Sequence, residues 1–322
     1  MTSTETVAAT RNAMPFDSSV IAPVRSLLAA PENNVLAIIS RIEGPSYRPL
    51  GAMMAVSSER DWVGSLSSGC IEADIALHAC AARDAGAPSR VLYGNGSPFV
   101  DIQLPCGGGL EILLLPKPDL VVLQDVLQMH DGRQPCTLDV DVENGLLSLG
   151  DARRTVRTDN LLHIRIEPEV LFQVFGKGPE ASTFASLVQA AGFPNLLLTS
   201  DRETLDAARA AGCQTRHLKS SHFPADLSTD ARTAVTLFFH DHHLEAPILA
   251  RVLETPALYV GAQGSRKAAE QRLAELEALG CSRETLNRLR GPIGLVPSAR
   301  DPRTLAVSVL AEILAIAMRH PS

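Results

Sequence analysis

The second half of this chain alternates short apolar segments with helical segments, and this alternation limits the fold more than any other feature. Four of the apolar segments read VLFQVFG, NLLLTS, AVTLFF and ALYVG, and stretches such as EASTFASLVQAAG and RKAAEQRLAELEALG lie between them. Nearly continuous apolar strands are typical of a parallel sheet that helices cover on both faces. The pattern therefore predicts a Rossmann-like, doubly wound α/β domain over residues 166–322.

The first half predicts a different, mixed α/β domain over residues 17–165, after a disordered tail at residues 1–16. Short strands such as RVLYG and LEILLLP are separated by Gly and Pro, and IEADIALHACAARDAG has a helical spacing that Gly86 can end. Asn144-Gly145 predicts the turn of a hairpin. A chain of 322 residues is long for one hydrophobic core, so the two patterns are interpreted as two domains.

Composition argues against several classes of function. The formal net charge is −7 and the basic residues are scattered, which argues against nucleic acid as the main partner. No apolar run predicts a membrane span and the first residues lack the apolar core of a secretory signal, so the expected location is the cytoplasm. The six cysteines include no pair within four residues, so neither a structural zinc site nor a disulfide framework is predicted.

A glycine-rich turn follows the first strand of the second domain. Gly176 and Gly178, with Ala181, form the spacing that holds a dinucleotide phosphate at a helix N-terminus. The acidic residue that would bind the ribose is Asp201, one position beyond the expected strand end, where Ser200 stands. Two interpretations stay open: a turn that binds a dinucleotide, or a turn kept for packing.

Two further turns of the second domain carry polar side chains directly after strands. His240 and His242 lie in FFHDHHLE, where they are candidates for acid–base chemistry or metal ligation, or belong to a solvated loop. Gly264, Ser265 and Arg266 follow the next strand and suit an anion such as phosphate, although a serine-capped helix explains the same residues. Carboxyl ends of parallel strands share one edge of a sheet, so we expect these turns to crowd together.

Two cysteines of the first domain lie beside glycine turns. Cys70 follows Ser67-Ser68-Gly69 and precedes a helix expected to start at Ile71, and Cys106 precedes Gly107-Gly108-Gly109. A helix N-terminus favours the thiolate, which is a soft ligand for a soft or transition metal, and the glycine turn leaves room for a ligand to reach backbone N–H groups. The alternative is an inert, buried cysteine. The remaining cysteines are assigned to structure: Cys80, Cys136, Cys213 and Cys281.

With these motifs in view, the chain resembles the XdhC/CoxI family, the accessory proteins of xanthine dehydrogenase and related molybdenum hydroxylases. The resemblance runs from about residue 25 to residue 318. It rests on GPSYRPLGAMMAV, GSLSSGCIE and CGGGLEILL in the first domain, and on VFGKG, SDR, HDHHLE, YVGAQGSRK, GPIGL and LAVSVLAEILA in the second, all in the family's order. The chain departs from the family's pattern at Ser68, Pro179, Glu245, Val296 and Ser298.

The resemblance implies a chaperone for the molybdenum cofactor (molybdopterin), a maturation factor rather than a turnover enzyme. Such proteins bind and shield the cofactor, help it acquire its terminal sulfur from a cysteine desulfurase, and deliver it to the apo-hydroxylase. Cys70 is then the expected contact to the metal, and Arg266 with Lys267 is expected to serve the phosphate. The other expected cofactor-binding residues of the two domains are Ser67, Ser68, Gly69, Glu72, Cys106, Gly107, Gly108, Gly176, Gly178, His240, His242, Gly264 and Ser265.

Two other functions compete with the chaperone. One is an NAD(P)-dependent oxidoreductase that uses the Rossmann-like half, with His240 or His242 as the acid–base group. The other is an adaptor that joins desulfurase and hydroxylase without binding cofactor. The chaperone interpretation implies apo-xanthine dehydrogenase and a desulfurase as partners, with no role for nucleic acid or a membrane, and it leaves a homodimer open.

Overall fold

A computed structural model describes residues 19–32, 34–94, 107–239 and 244–319. The chain forms two compact units that divide between Glu167 and Pro168. Each unit has its own hydrophobic clusters.

The described elements of the first unit are short strands with three helices. In chain order they are α1 (Ala22–Ala29), β1 (Val35–Glu43), β2 (Met53–Val56), β3 (Trp62–Gly64), α2 (Glu72–Ala85), β4 (Ser89–Gly94), β5 (Gly109–Pro116), α3 (Leu120–Asp131), β6 (Cys136–Asp141), β7 (Leu147–Gly150), β8 (Val156–Thr158) and β9 (Leu161–Ile166).

Local capping interactions explain where α2 ends and where α3 begins. Gly86 follows α2 with a φ of 67°, in the left-handed region, and its N–H donates to the Ala82 carbonyl. At the start of α3, the Asp119 carboxylate accepts from the N–H groups of Val121 and Val122. The helix stop predicted at Gly86 is therefore confirmed.

Two antiparallel sheets form the first unit within the described residues. The larger has five strands in the order β3-β2-β1-β5-β4, and the smaller has four in the order β7-β6-β9-β8. Helix α2 covers one face of the larger sheet, where Ile75 and Ala79 pack on Ile112. On the other face, α1, α3 and the smaller sheet share a core that includes Leu36 and Leu138.

The described elements of the second unit alternate strand and helix, as the sequence predicts. They are β10 (Leu171–Gly176), α4 (Pro179–Ala190), β11 (Asn195–Thr199), α5 (Arg202–Ala210), β12 (Gln214–His217), β13 (Thr233–Phe238), α6 (Glu245–Leu253), β14 (Tyr259–Ala262), α7 (Arg266–Ala278), α8 (Arg283–Leu286), β15 (Leu289–Arg290) and α9 (Pro302–Arg319).

One parallel sheet organises these elements. Its six strands run in the order β12-β11-β10-β13-β14-β15, and every pairing is parallel. Helices α4 and α9 pack on one face, while α6 and α7 contribute to a second apolar cluster. The prediction of a doubly wound, Rossmann-like half is confirmed, because apolar strands require helices on both faces of the sheet.

Candidate functional site

Three connections of the first unit leave one end of its five-stranded sheet. Because neighbouring strands are antiparallel, β1, β3 and β4 end where β2 and β5 begin. The connections are residues 44–52, 65–71 and 95–108, and of the last only Gly107 and Gly108 lie within the described residues. The third connection contains Cys106, which lies outside the described residues. The fold therefore brings Cys70 and the Gly107-Gly108 pair to the same end of the sheet.

The connection that carries Cys70 folds around the carboxylate of Glu72. This side chain is 2% exposed and belongs to the first residue of α2. Its Oε1 accepts from the N–H of Leu66 at 3.0 Å and of Ser67 at 2.8 Å. Its Oε2 accepts from the N–H of Gly69 at 2.9 Å and of Ile71 at 3.3 Å. Hydrogen bonds from the loop's own backbone N–H groups to this carboxylate thus hold the loop in place.

Two serine hydroxyl groups complete this loop. Ser65 donates to Oε1 of Glu72 at 2.8 Å, and Ser67 donates to Oε2 at 2.6 Å. The Ser67 oxygen in turn accepts from the N–H of Cys70 at 3.1 Å. Burial by itself raises the pKa of Glu72, but the hydrogen bonds from Ser67 and Ser65 outweigh it and lower that pKa to about 2. The carboxylate is therefore ionised at neutral pH.

The backbone N–H groups of this loop are occupied by internal hydrogen bonds. The sequence predicts that Ser67, Ser68 and Gly69 leave room for a ligand to reach backbone N–H groups, and the N–H groups of these three residues donate to Glu72, Ser65 and Glu72 respectively. These three N–H groups are therefore engaged within the loop, and cofactor binding by Ser67, Ser68 and Gly69 stays a prediction. In this geometry Glu72 holds the loop. A direct contact between Glu72 and the cofactor stays a prediction.

Cys70 lies on the outside of the fastened loop, where its side chain is exposed. Helix α2 begins at Glu72 with Ile71 as its N-cap residue, one position later than the sequence indicates. Two backbone angles in the left-handed region turn the chain outward before Cys70, 64° at Ser68 and 102° at Gly69. Glycine adopts such angles freely, whereas serine does so with some strain. The loop geometry thus keeps the thiol at the surface.

The Gly107-Gly108 pair lies against the 44–52 connection. A Cβ atom on Gly108 would meet the Pro45 carbonyl oxygen at 2.1 Å and the Glu43 carbonyl oxygen at 3.0 Å. Only glycine fits at this position, which gives the second glycine after Cys106 a steric reason. A Cβ atom on Gly107 would meet nothing within 4 Å, although its φ of 70° also favours glycine.

In the Gly176–Gly178 turn of the second unit, the N–H group of Gly178 already has a hydrogen-bond acceptor within the protein. The N–H of Gly178, which in a nucleotide-binding turn would face phosphate, donates to Oγ1 of Thr204 at 2.8 Å. Thr204 is buried, and its hydroxyl donates to the Asp201 carboxylate at 2.6 Å. Asp201 also caps α5 through the N–H of Thr204 at 2.8 Å, and these bonds lower the pKa of its carboxyl. Both fingerprint residues have partners inside the fold, which favours packing over dinucleotide binding.

We expect neither NAD nor NADP to raise the melting temperature of the protein at millimolar concentration. A dinucleotide present at a hundredfold excess over its Kd would add about 2.7 kcal/mol to the unfolding free energy, which a thermal scan detects readily. Thr204→Ala, which frees the N–H of Gly178, is the matched variant. A saturable rise in melting temperature for the parent protein would contradict this prediction.

The β14–α7 turn keeps the serine-capped geometry that the sequence left open. Ser265 is the N-cap residue of α7, and its Oγ accepts from the N–H of Ala268 at 3.2 Å. Arg266 is exposed at the first position of the helix, and Gly264 has a φ of 146°. The turn follows a parallel strand, so it lies at the same edge of the sheet as Gly178. His240 and His242 lie outside the described residues, and their roles stay predictions.

A buried ion pair that sequence reasoning missed lies beneath the β14–α7 turn. Nε of Arg272 donates to Oε2 of Glu245 at 2.8 Å, with the two side chains 1% and 0% exposed. Nη2 of Arg272 donates to the carbonyl of Gln263 at 2.7 Å. The pair joins α6 to α7 and fixes the residue before Gly264. One signal was available: Arg272 and the buried Leu276 share a face of α7, four positions apart.

The remaining described cysteines have structural surroundings. Cys136 and Cys213 are buried, and burial raises the pKa of each thiol. Cys80 and Cys281 are half-buried. Across the described ranges, no cluster of three or more His, Cys, Asp or Glu side chains is arranged to hold a metal ion. In the same ranges, no helix is both long and apolar enough to cross a bilayer.

The chain is a two-domain α/β protein, with a mixed α/β unit followed by a Rossmann-like unit. Residues 27–94 match the model of the XdhC and CoxI family, and residues 172–313 match the XdhC Rossmann domain. The chain belongs to the XdhC and CoxI family, which confirms the resemblance indicated by its motifs.

Similar proteins are known in several bacteria. The molybdenum cofactor insertion chaperone PaoD of Escherichia coli is 35% identical over 89% of this chain and 84% of that protein. A Bacillus subtilis protein described as a probable xanthine dehydrogenase subunit is 25% identical over 90% of this chain and 94% of that protein. A crystal structure described as a xanthine dehydrogenase from Bacillus halodurans has the same fold, with a TM-score of 0.78 and 20% identity, and the match covers 94% of this chain and 96% of that one.

Proposed function

We propose that this protein binds the molybdenum cofactor and delivers it to a molybdenum hydroxylase of the xanthine dehydrogenase type. The proposal is supported by family membership and by the 35% identity to a protein named as a molybdenum cofactor insertion chaperone. The client class is supported by the relative named as a xanthine dehydrogenase subunit. The cofactor is treated as cargo, which the protein must hold and then release.

One structural observation carries the proposal: Cys70 is exposed, whereas the other described cysteines are buried or half-buried. A thiolate is a soft ligand that suits a metal already bound by sulfur. The thiol also stands on a loop that is fixed by the Glu72 carboxylate, so its position is set before cargo arrives. A pre-organised contact reduces the ordering that binding requires.

The same geometry fits transfer rather than permanent storage. Cys70 lies at the surface of the loop, so a cargo that it contacts stays within reach of a second protein. Acceptance of sulfur from a cysteine desulfurase and transfer to the apo-hydroxylase both need such access. We therefore include protection, sulfuration and delivery of the cofactor in the proposed function, with desulfurase and hydroxylase as partners.

Cys70→Ala is expected to abolish or strongly weaken retention of the cofactor while the fold stays intact. The reason is that the substitution removes the one exposed thiol among the described residues and leaves the hydrogen bonds of its loop in place, since Cys70 contributes only its N–H to them. The measurement is the molybdenum and pterin content of protein purified anaerobically. Cys80→Ala, a half-buried position in α2, is the matched control.

Two outcomes would overturn parts of this proposal. If Cys70→Ala retains cofactor as well as the parent, the thiol has no role in holding it. If the parent retains no cofactor yet forms complexes with desulfurase and hydroxylase, the protein is an adaptor and not a cofactor chaperone.

A further inference from the structure

Arg48 lies in the 44–52 connection, at the end of the five-stranded sheet that also carries Cys70. The connection is braced, because Ser46 donates to the Arg48 carbonyl at 2.7 Å and the Gly51 N–H donates to the Ile39 carbonyl at 2.9 Å. The Pro45 carbonyl oxygen of this connection lies next to Gly108. The backbone that presents Arg48 is therefore fixed at both ends and next to the glycine pair.

The guanidinium of Arg48 has a donor that no described residue satisfies. Its Nε is buried, and within the described part of the chain it donates no hydrogen bond. A buried N–H without an acceptor is costly, so native structures seldom keep one without a reason. The Arg48 side chain as a whole is half-buried, so a ligand oxygen would supply the missing acceptor only after the side chain turns towards it.

Four carboxylates of the described residues near this end of the sheet are engaged with other partners. Their partners are Arg41 for Glu43 at 2.7 Å, the N–H groups of the Cys70 loop for Glu72, Tyr93 for Asp74 at 2.6 Å, and Arg157 for Glu111 at 2.6 Å. Arg41 and Arg157 are thus paired, while the positive charge of Arg48 is not compensated by any of these four carboxylates. An arginine with no ion-pair partner among the described residues is suited to an anion that accepts from its planar fork.

We infer that Arg48 binds the phosphate group of the cargo, within the first unit and at the same end of its sheet as Cys70. This inference rests on the proposed function, because it takes a phosphate ester attached to the cofactor as its ligand. Arg48 lies in the motif GPSYRPLG. The sequence motifs had instead predicted that Arg266 and Lys267 serve the phosphate. It also makes the first unit able to hold both the metal end and the phosphate end of the cargo.

The test compares binding of the phosphorylated cofactor with binding of its dephosphorylated pterin to purified variants under anaerobic conditions. Arg48→Gln is expected to weaken binding of the phosphorylated form about tenfold to a hundredfold, the size of one charge-assisted contact. The dephosphorylated form should lose little, because it offers no anion to the guanidinium. Arg48→Lys should recover part of the loss, since it keeps the charge but not the fork.

Arg41→Gln is the matched control, because Arg41 is an arginine near the end of β1 that is exposed and paired to Glu43. It should bind both forms as the parent does. The melting temperature of Arg48→Gln should equal that of the parent, because none of the four carboxylates loses its partner. Arg266→Ala is measured beside it, as the rival phosphate contact in the second unit.

The outcomes separate this inference from the proposed function. If the parent binds neither form, the proposed function fails. If the parent binds but Arg48→Gln binds equally well, or only Arg266→Ala shows the phosphate-dependent loss, the inference alone is overturned. Equal losses of both forms would also overturn it, since Arg48 would then shape the loop without gripping phosphate.

Discussion

Arg272→Met is expected to lower the unfolding free energy of the second unit by about 3–5 kcal/mol, the cost of removing one member of a buried ion pair. The substitution keeps an apolar chain of similar length but takes away the cation that faces Glu245, whose side chain is 0% exposed. It also removes the donor that binds the Gln263 carbonyl. The measurement is thermal and urea unfolding followed by circular dichroism.

The double variant Arg272→Met with Glu245→Leu is expected to recover most of that stability. Replacing both members of a buried pair by apolar groups removes the desolvation cost together with the attraction. Recovery would show that the loss in the single variant comes from an uncompensated charge in the interior, and not from the volume of the new side chain.

Two controls make this prediction specific. Arg266→Met, at the exposed start of the same helix, should change stability by no more than about 0.5 kcal/mol. The chain's one tryptophan, Trp62, lies in the first unit, so its fluorescence should show an unchanged transition there. A single variant as stable as the parent would mean that the pair contributes nothing to holding α6 against α7.

Glu72→Gln is expected to destabilise the first unit by about 3 kcal/mol at neutral pH. The carboxylate accepts hydrogen bonds from four N–H groups and two hydroxyl groups. An amide replaces one acceptor oxygen by a donor, so several of these groups lose their partner inside the loop. The loss can be followed by Trp62 fluorescence during urea unfolding.

The pH dependence of this contribution has a definite sign. The pKa of Glu72 is lowered from 4.5 to about 2, and each tenfold change in an acid dissociation constant corresponds to about 1.36 kcal/mol. Because the folded state favours the ionised form, the stabilisation is fully present above pH about 4.5 and is lost as the pH falls towards 2. Glu72→Gln should remove this part of the acid sensitivity.

Glu59→Gln serves as the control, since Glu59 is an exposed carboxylate of the same unit. It should leave both the stability at neutral pH and the acid transition close to those of the parent. If Glu72→Gln also leaves them unchanged, the hydrogen bonds to its carboxylate do not stabilise the loop that presents Cys70.

Sequence reasoning about the Cys70 loop named Glu72 as a cofactor-binding residue and did not predict that its carboxylate holds the loop together. The sequence predicts that Ser67, Ser68 and Gly69 leave room for a ligand to reach backbone N–H groups, whereas the N–H groups of these three residues donate to Glu72 and Ser65. A carboxylate that follows a glycine turn either faces outward to a ligand or folds back on the turn. Both arrangements are compatible with the same sequence, so the motif does not predict the direction in which the Glu72 side chain points.

The Gly176–Gly178 turn illustrates the same limit in the second unit. Its spacing is compatible with a turn that binds a dinucleotide phosphate and with a turn kept for packing, and its context of strand and helix is as expected. The acceptor that occupies the N–H of Gly178 is Thr204, which belongs to the next helix of the fold and lies beyond a strand. A short motif does not predict a hydrogen-bond partner that belongs to another helix or strand.

The sequence by itself determined the parallel sheet of the second unit, the helix stop at Gly86 and the family, because each depends on periodicity, on local backbone preference or on motifs in fixed order. Only the tertiary structure decided which polar groups find partners. Glu245 meets Arg272, Thr204 closes the Gly178 turn, and the buried Nε of Arg48 is left without an acceptor among the described residues. The physical reason is that hydrogen bonds and ion pairs act over about 3 Å, so they depend on which distant elements the packed core brings within that distance.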